Sequence, residues 1–184
     1  MMQSEQKSKI SALSRAAVMT AVTCVLAPLS IPIGPVPISL TNFAIFLSLY
    51  VLDWKWATGS YLCYLVIGMV GMPVFSGFAG GLGKIVGPTG GYLVGFVPMA
   101  IVTGMILDRR PGRTVQFLAM VLGTVICYVF GTAWFCWQSG TPLMAALSAC
   151  VFPFIPGDLI KILVCMAFGP MLRKQLVKAK LMKD

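Results

Sequence analysis

The sequence predicts an all-α integral membrane protein: a single membrane-embedded domain over residues 1–184, built as a bundle of six transmembrane helices with Pro- and Gly-rich extracellular loops. Three observations predict it. Only 10% of the residues are charged, against about a quarter in a soluble domain. Mean hydropathy is +0.91, so the chain has too little polar surface to cover itself, and its solvent is lipid. The apolar residues are also gathered into runs approaching the roughly 20 that a helix needs to cross a bilayer.

The spans are expected near residues 10–29, 39–52, 56–72, 90–107, 115–137 and 157–176. The polar opening MMQSEQKSK leads into the first apolar run, which has no small-residue cleavage pattern and reads as a permanent span, not a signal peptide. The second span is short. Thr141–Pro153 is apolar but runs into PFIPG, so it reads as a half-helix or re-entrant segment before the sixth span. Two loops stand out. Ser30–Ser39 (SIPIGPVPIS) carries Pro32, Pro35, Pro37 and Gly34 and no charge, and Gly71–Tyr92 is glycine-rich. Proline fixes the backbone and glycine frees it, so both are expected to be shaped, non-helical segments folded over the outer helix ends. The apolar and aromatic content of the Gly-rich loop argues against disorder there.

Charge sets the expected orientation. Lys7, Lys9 and Arg15 precede or open the first span, and Lys55 lies between the second and third. Arg109, Arg110 and Arg113 separate the fourth and fifth, and Arg173, Lys174, Lys178, Lys180 and Lys183 close the chain. Of the 14 cations only Lys84 and Lys161 fall elsewhere, which places both termini in the cytoplasm. The net charge of +9 is thus accounted for by topology and anionic lipid, not by nucleic acid.

Lys84 falls in the Gly-rich outer loop, where it can point to water. Lys161 falls inside the sixth span, where a lysine costs about 3 kcal/mol on insertion scales. Asp158 precedes it by three residues, on the same helical face. The pair is either a structural ion pair, with the lysine snorkelling outward, or a polar pair lining a ligand cavity; intramembrane ionisable pairs favour the second reading.

Several functions are excluded. GFAGGLGKI imitates a phosphate-binding loop, but Phe78 stands where the first glycine belongs and Ile85 where Ser or Thr belongs, so no nucleotide site is expected. There is no histidine, and the only acids are Glu5, Asp53, Asp108, Asp158 and Asp184. Ser-His chemistry, most zinc sites and a two-carboxylate intramembrane enzyme are thereby removed, and neither an enzyme activity nor a cofactor is expected. The cysteines (Cys24, Cys63, Cys127, Cys136, Cys150, Cys165) are isolated in apolar sequence and read as packing thiols.

Small residues recur at helical spacing. Ala12 and Ala16, and Ala17 and Ala21, each form a small-xxx-small pair in the first span, suited either to internal packing or to a partner helix. Gly83, Gly87, Gly91 and Gly95 recur every four residues, and the last two at least mark a close helix-packing face.

Three segments, IPIGPVPISLTNFAI, GMPVFSGFAGGLGKIVGPTGGYLVGF and PFIPGDLIK, closely resemble the BioY family in order and spacing. These are biotin-specific substrate-binding (S) components of energy-coupling factor (ECF) transporters. The resemblance covers nearly the whole chain. It implies a six-helix plasma-membrane protein that captures biotin from outside, with a transmembrane coupling subunit and two ATPases as partners. In the family a first-helix A-x-x-x-A element contacts the coupling subunit, and it maps onto Ala17 and Ala21. Some relatives carry polar side chains in the Gly-rich loop and just after GGY, where this chain has Ala79 and Leu93.

With biotin as ligand, the expected site follows. Asp158 accepts from a ureido N–H, and Lys161 donates to the ureido carbonyl or to the carboxylate. Phe75, Phe78 and Tyr92 wall the thiophane ring and aliphatic tail. Asn42 either reaches the ligand or makes a helix–helix hydrogen bond. Two other readings stay open: an S component for another vitamin, and a stand-alone proton-coupled carrier with Asp158 titrating. Carriers commonly show internal repeats, and none is visible here.

Overall fold

The computed structural model describes residues 2–32, 36–109, 112–179 and 181; the side chains of residues 2–5, 7 and 8 fall outside that description. Of the charges weighed above, Arg110, Lys180, Lys183 and Asp184, and the side chains of Glu5 and Lys7, therefore lie outside the described residues, as do residues 33–35 in the Pro-rich loop.

The regular structure of the described chain is helical apart from one small hairpin and an isolated bridge. Helix α1 (Met2–Leu26) leads into β1 (Ser30–Ile31) and β2 (Ile38–Ser39), paired antiparallel with Ser30 opposite Ser39 and Ile31 opposite Ile38. The ladder stops there because Pro32 and Pro37 have no N–H to extend it. Then come α2 (Thr41–Val51), α3 (Trp54–Met69), α4 (Leu82–Val86), α5 (Gly90–Leu107), α6 (Arg113–Ser139), α7 (Leu143–Cys150) and α8 (Ile155–Lys178). Gly140, at φ +65°, ends α6 in the left-handed conformation that glycine adopts without strain. Pro156 sits in the first turn of α8, where a missing N–H costs nothing. The expected half-helix is α7. The Gly-rich loop differs from expectation: it is not wholly non-helical, because the apolar run Leu82–Val86 between Gly81 and Gly87 closes one helical turn, α4.

Among the described residues, four stretches are long and apolar enough to cross a bilayer: Lys9–Leu26 within α1, and α5, α6 and α8. At 11 and 16 residues, α2 and α3 reach only about 16 and 24 Å, short of the ~30 Å hydrocarbon core. The outer faces are greasy. Leu118, Leu122, Val125 and Val129 on α6 and Ile160, Leu163, Phe168 and Met171 on α8 are all exposed, the pattern of helices dissolved in lipid.

Glycines set the closest packing, between α5 and α6. A β-carbon on Gly95 would meet Phe130 Cβ at 3.0 Å, and one on Gly91 would run into Trp134. From the α6 side, Gly123 abuts Thr103 and Met99, and Gly131 receives the Tyr92 ring. Gly91 and Gly95 therefore do what their spacing suggests, whereas Gly83 faces open space and Gly87 caps α4.

Helices α2 and α8 run parallel. Asn42 meets Asp158 at one end, and the Tyr50 ring covers Gly169 toward the other. The two ends of the molecule differ accordingly. At one, Arg15 Nη1 donates to Val51 O at 2.6 Å, Tyr50 donates to Gln116 at 2.9 Å, and the Trp54 N–H donates to Asp108 Oδ2 at 3.0 Å. This end gathers the described basic residues of the helix junctions. At the other lie the hairpin, the Gly-rich loop and the start of α8, tied by Gly77 N–H to Pro28 O and by the Trp134 indole N–H to Gly87 O, both at 3.1 Å.

Candidate functional site

Asp158 lies in the first turn of α8 and is only 6% exposed. A helix N-terminus favours a carboxylate there, and the N-terminus of α2 lies alongside. Burial of a charge is tolerated only when it is paired and hydrogen-bonded, and the pairing here is thorough. Asp158 Oδ1 accepts from Asn42 Nδ2 at 2.8 Å and from Lys161 Nζ at 2.9 Å, and Oδ2 accepts from the Tyr128 hydroxyl at 2.5 Å.

Lys161 is equally committed. Its ammonium donates to Ser39 O at 2.6 Å and Asn42 Oδ1 at 3.1 Å as well as to Asp158, which uses all three of its protons. The Asn42 amide is oriented by its neighbours. Its oxygen accepts from Lys161 and from the Phe43 N–H at 3.0 Å, while its nitrogen faces the carboxylate. One Asn42 N–H and one acceptor position on Asp158 Oδ2 remain beyond these bonds. A donor beside an acceptor suits a ligand that carries the complementary N–H and C=O. Direct donation by Lys161 to such a ligand, as expected from sequence, would require one of its three bonds to break; in this geometry it holds α8, α2 and the β2 end together.

This network forms part of the wall of a cleft of about 660 Å³, counted to its open mouth. The rest of the lining is mainly apolar: Val36, Pro37, Phe96, Met99 and Phe154, with Tyr92 and Leu93. The Tyr92 hydroxyl lies 3.1 Å from Thr132 Oγ1. Phe96 packs edge-on against Tyr61, and the Tyr61 hydroxyl donates to Leu93 O at 2.8 Å, so the apolar side is braced from behind.

Asp158, Lys161, Asn42 and Tyr92 are thus brought together around one cleft, and the Asn42 helix–helix hydrogen bond and its place in the lining coexist. Phe75 and Phe78 are not among the lining residues. Phe75 is fully buried edge-on against Tyr64, with ring centroids 5.5 Å apart, and Phe78 is 65% exposed. The bridge between Phe75 and Ala79 turns the chain tightly, with Phe78 at φ +56°, and the Phe75 ring is buried while the Phe78 ring is exposed. Ala79 is half-buried beside Phe75, and Leu93 lines the cleft. On α1 the small pairs diverge: Ala12 and Ala16 are buried, while Ala17 and Ala21 are exposed along a groove shared with Trp56, Gly59 and Cys63.

Two participants were not anticipated. Lys84 does not simply face water; α4 folds back so that it is half-buried in the cleft lining. Tyr128 was missed although a signal exists. Thr124, Tyr128 and Thr132 form an i, i+4, i+8 polar stripe on an otherwise apolar helix.

The whole arrangement has relatives. The chain matches the BioY family over residues 2–178. It is 38% identical over 162 residues to the biotin transporter BioY of Thermotoga maritima, covering 88% of this chain and 95% of that one. It is 36% identical over 154 residues to the probable biotin transporter BioY of Pyrococcus horikoshii, covering 83% and 90%. Its fold superposes with a TM-score of 0.83, at 33% identity and over 90% and 92% of the two chains, on the crystal structure of the S-component for biotin from an ECF-type ABC transporter. The chain belongs to the BioY family.

Proposed function

We propose that this protein is the biotin-capturing S component of an ECF transporter in the plasma membrane, working as one membrane-embedded domain over residues 1–184. It performs no chemistry on its ligand, and partner subunits supply the energy: a transmembrane coupling subunit and two ATPases. The names of its relatives and of its structural neighbour support this reading. The observation that carries it is the buried Asp158–Asn42 acceptor–donor pair at one wall of an apolar cleft.

A ureido ring presents two N–H donors and one carbonyl. Asp158 Oδ2 accepts one N–H, and the remaining Asn42 N–H donates to the carbonyl. Lys161 fixes both partners and balances the charge. Hydrogen bonds to a charged group are worth about 1.5–3 kcal/mol each. Phe96, Met99, Phe154 and Tyr92 enclose the thiophane ring and tail, and Lys84 meets the carboxylate near the mouth. Phe75 supports this wall from the core.

In the proposed topology the chain crosses the membrane six times, with the short α2 and α3 crossing between longer neighbours that shield their ends. Both termini are cytoplasmic and the cleft faces outward, as the placement of the basic residues supports. Ala17 and Ala21 form the docking face for the coupling subunit.

The test is to purify the protein in mild detergent without added vitamin, denature it, and identify the released small molecule by mass spectrometry. Biotin supports the proposal, and a different vitamin replaces the ligand assignment. If nothing is released, calorimetric titration with biotin decides, and the absence of binding overturns the proposal.

A further inference from the structure

We infer that Tyr128 determines ligand specificity, as the wall between the ligand cleft and a second cavity that opens sideways among α6, α7 and α8. The inference rests on the biotin reading above. The second cavity encloses about 1190 Å³ to its open face and is lined by apolar residues such as Val121, Val125, Leu147, Ile155 and Ile162. Three residues line both cavities: Thr124, Tyr128 and Asp158. Thr124 is small, and its hydroxyl turns back onto its own helix, donating to Met120 O at 2.9 Å. Asp158 is held by its three donors. The Tyr128 ring is therefore the one bulky, replaceable part of the partition.

The hydrogen-bond geometry says which part of the ligand meets this wall. Asp158 Oδ1 already takes two donors, whereas Oδ2 takes only Tyr128 among the described residues. A ligand N–H consequently arrives at Oδ2, beside the Tyr128 hydroxyl. A substituent on that nitrogen would strike Tyr128, and behind Tyr128 lies apolar space. The side chain thus rejects N-substituted ureas and keeps the cleft closed to the lipid-facing side. The same hydroxyl orients Oδ2, a positioning role separable from the steric one.

The experiment compares calorimetric affinities of the full-length protein for biotin and for its two N-propyl ureido isomers. The variants are Tyr128→Phe, Tyr128→Leu and Tyr128→Ala, each checked for cooperative thermal unfolding. The wild type should bind biotin and reject both isomers. Tyr128→Ala should improve the affinity ratio of one isomer to biotin by about tenfold or more, the scale on which a hydrophobic pocket discriminates added methylenes. Tyr128→Leu should move the ratio part of the way and serves where the alanine variant does not fold. Tyr128→Phe should keep the wild-type discrimination while binding biotin several-fold more weakly. Unchanged ratios in both truncated variants overturn the Tyr128 assignment but leave the biotin reading intact. A folded wild type that binds no biotin overturns both.

Discussion

Asn42 donates its side-chain N–H to Asp158 Oδ1 across 2.8 Å, joining residues 116 positions apart and two parallel helices at their N-termini. The bond makes the site a joint product of α2 and α8. Asn42→Ala removes both this donor and the one assigned to the ligand carbonyl. Biotin affinity should fall by about tenfold or more, the scale of one hydrogen bond to a charged or buried group. Asn42→Asp, which adds a like charge beside Asp158, should weaken binding further. Calorimetric titration reads both, and wild-type affinity in the alanine variant would remove Asn42 from the site.

Lys161 and Asp158 form a pair whose side chains are 12% and 8% exposed. Removing one member of a buried pair typically costs about 3–5 kcal/mol, because the other charge is left behind. Lys161→Met should therefore lower thermal stability and biotin affinity together. The double variant Lys161→Met/Asp158→Asn should recover much of the stability, since no buried charge remains, without recovering the affinity. Recovery of both would make the pair purely structural.

The folding back of α4 gives Lys84 a role that its loop position concealed. Lys84→Met should weaken biotin by several-fold to about tenfold, as expected for a partly solvated charged contact. It should leave the affinity for biotinamide, whose carboxylate is neutralised, nearly unchanged. Equal losses for the two ligands would show that Lys84 does not meet the carboxylate.

Ala17 and Ala21 are exposed on α1, lining a different cavity from the ligand cleft. Tryptophan at both positions should block close approach of a partner helix. Biotin binding should survive, while ATP-driven uptake and co-purification with the coupling subunit should be lost. Normal uptake by the variant would sink the docking face. Normal wild-type uptake in cells lacking every coupling subunit and its ATPases would revive a stand-alone carrier.

Asp108, at the opposite end from the cleft, titrates above the ordinary carboxylate value of 3.8, chiefly because it is partly buried and also because Asp53 is near; the Trp54 N–H opposes the shift. A carboxyl whose folded-state value is raised binds its proton more tightly when folded. Its stabilising contribution is complete below about 3.8 and is lost as pH rises through the raised value. Asp108→Asn mimics the protonated form, so its melting temperature relative to wild type should climb as pH rises from acid toward neutral. A difference that does not change with pH would contradict the shift.

Much of this was legible in the sequence, for reasons that mark the limits as well. α5 begins and ends where its apolar run does, and the Asp158–Lys161 pair declared itself because charges are rare in greasy helices. Gly91 and Gly95 signalled contact through spacing alone. Periodicity reports the face of one helix but not which other helix it meets. The stripe that carries Tyr128 therefore names no partner by itself; α8, whose Asp158 accepts from the Tyr128 hydroxyl, supplies it. Phe75 and Phe78 sit three apart in a loop with no period, and only the local bridge decides which one turns inward. The position of Lys84 depends on α4, a single turn too short to stand out among glycines.

The glycine seam between α5 and α6 also constrains how the sequence can drift. At Gly91, Gly123 and Gly131 even one methyl group would collide with the facing helix, and at Gly95 it would press on Phe130 at 3.0 Å, so substitutions along this seam should be selected against in any saturation mutagenesis scored by biotin uptake. Leu118, Leu122, Val125 and Val129, on the open face of the same helix, need only remain soluble in lipid and should exchange freely among apolar residues. A single helix should thus show two rates of change, one on each side, with the slow side tracing the α5–α6 contact by mutational tolerance alone.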